Sequence, residues 1–69
     1  MVDGMKLRGL AIMKYGSLAK MATALGWSYS RLSRIVRAER EPTSGEIREM
    51  ATALEITDAA EIVSVFSLS

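Results

Sequence analysis

Residues Ser17 to Pro42, SLAKMATALGWSYSRLSRIVRAEREP, set the architecture of the whole chain. Leu18, Met21, Ala22 and Leu25 recur at i, i+3, i+4 and i+7, the spacing of one apolar face on a helix. Ser17 is placed to cap the start of that helix, and Gly26 to end it. Ser28 then caps a further helix, so only Gly26-Trp27-Ser28 is left for the connection, which must be a sharp turn. The Trp27 ring is expected to pack at the edge of the core. The next helix runs from about Tyr29 to Arg37. On a helical wheel Leu32, Ile35 and Val36 face one way, and Tyr29, Ser30, Ser33, Arg34 and Arg37 face the other. One side docks the helix on the domain while the opposite side stays open to a partner.

Outward from this segment the chain continues to read as helix. About Met5 to Tyr15 is helix-permissive, with Leu7, Leu10 and Ala11 on one face, Asp3 available as a cap and Gly16 as the stop. Gly9 weakens this helix relative to alanine. Residues 1 to 4 are expected to be mobile. Beyond the central segment, Pro42 disfavours helix at Glu41. Thr43-Ser44-Gly45-Glu46 fits a capping box, and Ile47, Met50, Ala51 and Leu54 again match the amphipathic spacing. Asp58-Ala59-Ala60-Glu61 opens a short last helix ending near Phe66. Five helices and no strand are expected, as one domain over residues 1–69, with the central motif at about 17–38.

With 69 residues the core must be small and the stability modest. Cysteine and histidine are both absent, which excludes disulfides and makes transition-metal sites improbable. No apolar run approaches the ~20 residues that span a bilayer, and no secretion signal is evident. A cytoplasmic protein is therefore expected. The net charge of +1 conceals an asymmetry. Residues 4–40 hold eight bases against one acid, a balance of +7, and residues 41–69 hold six acids against one base, a balance of −5. Such a molecule presents a basic end to a polyanion and keeps its acidic end away.

A helix, a turn containing glycine and a second helix with a polar, basic outer face form the pattern of a helix-turn-helix, whose second helix enters the major groove of DNA. The combination of Ser17, Met21-Ala22, Leu25-Gly26, Ser28, Leu32-Ser33-Arg34-Ile35, Pro42-Thr43, Ile47, Met50-Ala51 and Ala53-Leu54 resembles the Cro-type (XRE-like) helix-turn-helix family of phage repressors and bacterial transcriptional regulators. The resemblance covers roughly Leu7 to Phe66. The last helix, with an isoleucine followed by a phenylalanine, resembles small phage-encoded members. It implies a compact, all-α, five-helix, lambda-repressor-like domain that binds double-stranded DNA as a homodimer. Three positions depart from the family pattern: Leu18 replaces a common glutamine, Val36 a polar residue, and Ala38 a usual glycine. A left-handed Ala38 would be strained, so the third helix is expected to end differently or to run on by a turn.

The resemblance places Tyr29, Ser30, Ser33 and Arg34 at base-reading positions. Their chemistry agrees, because arginine can bond guanine O6 and N7 together and serine can bond several bases. Tyr29 has the alternatives of a phosphate or a thymine methyl. Ser17, Lys20, Arg31, Arg37 and Arg40 are candidates for the phosphate backbone, Ser17 because a helix N-terminus favours an anion. The plainer alternative is a solvated helix face, or for the arginines an ion pair with Glu39 or Glu41. On the last helix, Ile62 and Phe66 are the obvious core residues, which leaves Val63, Val65 and Leu68 for a surface between two copies. Catalysis has almost no support, since no histidine or cysteine stands ready to activate a serine. No cofactor, metal or small-molecule ligand is expected. The function expected is a sequence-specific transcriptional regulator of the phage or prophage Cro/repressor kind. The alternative is a protein-interaction module, an antirepressor or adaptor, that retains the fold.

Overall fold

The computed structural model describes residues 1–66. Five helices follow one another with no strand among the described residues: α1 Gly4–Tyr15, α2 Leu18–Leu25, α3 Tyr29–Val36, α4 Ser44–Ala53 and α5 Ala59–Phe66. Their starts are set by side-chain caps. Asp3 accepts the Lys6 N–H at 3.1 Å, Ser17 that of Lys20 at 3.1 Å, and Ser28 that of Arg31 at 3.2 Å. Thr43 and Glu46 form the reciprocal capping box of α4. Glycine ends α1 and α2, with Gly16 and Gly26 in the left-handed region at φ 92° and 74°. At the second of these, Trp27 N–H donates to the Ala22 carbonyl (2.9 Å) and Gly26 N–H to that of Thr23 (3.1 Å), which closes the last turn of α2.

The third helix ends at Val36 without the expected change of geometry. Ala38 adopts the left-handed conformation itself, at φ 59°. Glu39 N–H donates to the Arg34 carbonyl (2.9 Å) and Ala38 N–H to that of Ile35 (3.1 Å), the two bonds of a Schellman ending. Those bonds offset the strain that the alanine side chain brings. Glu55, at φ 57°, ends α4 in the same way, with Ile56 N–H bonded to the Ala51 carbonyl at 2.9 Å.

The core gathers Leu7, Met21, Leu32, Ile35, Met50, Val65 and Phe66, all fully buried. Helix α1 packs on α2, α3 and α5, and α2 packs on α3 and α4. Tyr15 ties the end of α1 to the end of α4, its hydroxyl donating to the Ala53 carbonyl at 2.6 Å. Lys14 and Glu55 form an ion pair beside it.

Residues 1 to 4 differ from the mobile terminus expected. Val2 is buried, Asp3 N–H donates to the Val65 carbonyl at 2.8 Å, and Gly4 begins α1. A small core gains from every apolar side chain, and the backbone of Asp3 satisfies a carbonyl near the end of α5. Gly4 lies so close to α3 that a Cβ there would stand 2.0 Å from the Val36 carbonyl oxygen. Opposite its buried face, α1 exposes Met5, Ile12 and Met13. Val65 is likewise corrected: it is fully buried with Phe66 and cannot form a surface between copies. The apolar excess of α5 goes into the core because this small domain needs both side chains. Val63 is exposed, and Leu68 lies outside the described residues.

Candidate nucleic-acid interface

Helix α3 is held from both ends and from behind. Its Ser28 cap follows α2 through three residues, and Leu32, Ile35 and Val36 are buried. Tyr29, Ser30, Arg34 and Arg37 are exposed, which puts an aromatic hydroxyl, an aliphatic hydroxyl and two guanidinium groups on the outer surface of one short helix. Ser33 departs from the helical-wheel expectation. It is only 8% exposed. Helix geometry places Tyr29 one turn before it and Arg37 one turn after, and a side chain of two heavy atoms lies below such neighbours. The open face therefore narrows to Tyr29, Ser30, Arg34 and Arg37.

The phosphate candidates divide into two groups. Lys20 is exposed near the start of α2, and Ser17 is half-buried with its hydroxyl oxygen engaged as the cap of that helix. Arg37 is exposed and pairs with Glu39 at 3.2 Å. Arg31 and Arg40, by contrast, converge on Glu46 in the first turn of α4. Oε2 of Glu46 accepts from Arg31 Nε at 2.9 Å and from Arg40 Nη2 at 2.7 Å, and it pairs with Arg31 Nη2 at an ion-pair distance of 2.8 Å. Its Oε1 accepts the Thr43 N–H at 2.9 Å. The Arg31 guanidinium also lies over the buried Trp27 ring, 4.1 Å from the centroid, a cation–π contact. Arg40 Nη1 is covered and has no acceptor among the described residues.

Glu46 is 3% exposed, and burial alone would push its carboxyl pKa upward. The Arg40 guanidinium, the Thr43 N–H and the Arg31 guanidinium outweigh that effect and hold it down at about 2, so the group is an anion throughout the neutral range. The sequence shows Glu46 as half of a capping box. It does not show that the carboxylate's second oxygen collects two arginines, because Arg31 lies 15 residues away along the chain and Arg40 reaches back from the connecting segment only in the folded domain. Arg40 pairs with neither Glu39 nor Glu41, the plainer alternative to a phosphate contact, but with Glu46.

No helix among the described residues is long and apolar enough to cross a membrane. Comparison with curated proteins and with solved structures returned no match. A family model described as a helix-turn-helix domain matches residues 4–62, from the first residue of α1 into α5. The match spans both helices of the motif, the turn between them and the helices that support them, and the chain belongs to the helix-turn-helix domain family.

Proposed function

We propose that the chain is a sequence-specific DNA-binding transcriptional regulator of the phage or prophage Cro/repressor kind, and that it acts by occluding a promoter. The observation that carries this reading is the outer surface of α3, where Tyr29, Ser30 and Arg34 stand exposed on the basic half of a helix-turn-helix domain. Arg34 reads a guanine edge, Tyr29 and Ser30 meet neighbouring base edges or the adjoining backbone, and Lys20 and Arg37 contact phosphates. The buried Ser33 contributes by letting the helix approach closely rather than by a direct bond. Two copies pair through the α5 surface, where Val63 is exposed and Ile62, with Ile47, Ala51 and Ile56, lines an open groove of about 410 Å³. Paired copies set their α3 helices into successive major grooves about 34 Å apart.

Selection of binding sites from random duplex DNA tests this, followed by sedimentation with and without the selected duplex. Enrichment of a two-fold symmetric sequence bound by two copies is expected. Failure of folded protein to enrich any sequence at low salt would sink the proposal.

One observation favours a second function, that of a protein-interaction module. Val36 and Val65 are buried and give it no support, but Met5, Ile12 and Met13 form an exposed apolar face on α1. Sequence enrichment that survives polar substitutions at Met5 and Met13 counts against that face being the main working surface.

A further inference from the structure

Beside the exposed face of α3 lies a buried carboxylate that base reading does not use. A negative charge next to a polyanion-binding surface ordinarily weakens binding. Glu46 is nevertheless placed between two of the cations nearest to α3, with Arg31 supplied by that helix and Arg40 by the segment between α3 and α4. Two guanidinium N–H donors bond Oε2 and one backbone N–H bonds Oε1, so both oxygens of the carboxylate are engaged. Without this shared anion the two guanidinium groups would repel each other and each would sample many rotamers. With it they are held as a pair, Arg31 over the Trp27 ring, while both remain partly open to solvent at 40% and 38% side-chain exposure.

We propose that Glu46 is a positioning residue for the DNA backbone: it holds Arg31 and Arg40 as a preformed pair that grips a phosphate beside α3. The inference rests on the DNA-binding function proposed above. Each guanidinium carries five N–H donors, and the exposed ones that Glu46 does not take remain for phosphate oxygens. Ordering the two long side chains before contact removes an entropy cost from the binding step. A buried anion thereby strengthens attraction to another anion, the opposite of what its charge alone predicts.

That opposition of sign makes the test decisive. Glu46→Gln keeps an acceptor for the Thr43 N–H, so the capping box persists, while the charge that gathers the arginines is gone. Affinity is measured for the duplex selected from the random library and for a random-sequence duplex, across a range of salt. Loss of about tenfold is expected on both duplexes, despite the added positive charge, with their ratio unchanged. The dependence of log affinity on log salt should become shallower by about one phosphate's worth. Equal or tighter binding by Glu46→Gln, with the same or a steeper salt dependence, overturns the inference, because Glu46 would then merely neutralise the two arginines. Should circular dichroism show that Glu46→Gln unfolds, Arg31→Lys decides instead. It keeps the charge but loses the fork; the same fall in affinity is expected, and unchanged affinity overturns the inference. Failure of the DNA-binding function itself appears earlier and separately, as no binding to either duplex by the unsubstituted chain.

Discussion

Arg34 combines exposure with the only donor geometry on the outer face of α3 that matches two acceptors on one base at once, apart from Arg37 a turn later at the helix end. As the proposed guanine reader, it predicts that Arg34→Ala costs roughly 1–3 kcal/mol on the selected duplex and relaxes preference at one base pair. Uniform weakening across all sequences in a competition assay would instead make it a backbone contact. Ala38 makes a claim about stability rather than binding. Its left-handed backbone, at φ 59°, is costly for a residue with a Cβ and easy for glycine. Ala38→Gly should therefore stabilise the fold by about 0.5–1 kcal/mol, after allowing for the extra freedom of glycine in the unfolded chain. Urea unfolding measures this directly, and a loss of stability would mean that the Schellman ending does not hold α3 in solution.

Among the elements, α1 shows how one residue type takes opposite roles at two positions. Gly4 abuts the backbone of α3, where a Cβ would meet the Val36 carbonyl oxygen, whereas nothing lies within 4 Å of a Cβ at Gly9. Gly9→Ala should add about 0.5–1 kcal/mol of stability through helix propensity. Gly4→Ala should cost about 2–3 kcal/mol, because the contact is with backbone and cannot be relieved by a rotamer change. Thermal unfolding of the two variants should move in opposite directions. Neither packing difference is visible in the sequence, where Gly4 falls in a terminus expected to be mobile and Gly9 in a weak helix. What the sequence does make legible is local: Ser17, Ser28, and Thr43 with Glu46 act on N–H groups three residues away, and Gly16 and Gly26 stop the helices they follow. The apolar spacing of α2 and α4 and the buried side of α3 are legible for the same reason. Val2 and Val65 in the core and Arg31 on Glu46 depend on segments distant in sequence. Their placement follows only once the helices have docked. The exposed face of α3 accordingly differs from the helical wheel at Ser33, which is covered.

At the scale of the whole molecule, the same carboxylate links charge to stability. Folding lowers the Glu46 pKa from its ordinary value near 4.5 to about 2, so the unfolded chain takes up the proton first as pH falls. Its contribution is complete above the ordinary value and is lost as pH falls through the interval down to about 2. The difference in urea midpoint between the unsubstituted chain and Glu46→Gln should narrow across that interval; a constant difference would assign the acid sensitivity to other carboxylates. The five methionines divide the molecule in another way. Met1, Met5 and Met13 are between 76% and 88% exposed, whereas Met21 and Met50 are completely buried. Mild peroxide should turn the outer three into sulfoxides while the fold stays intact, and should reach the inner two only when the core opens. Peptide mass spectrometry would read both events from one sample. The chain thus carries its own clock for opening, and oxidation of α1 makes its outer face polar without altering a single residue of α3.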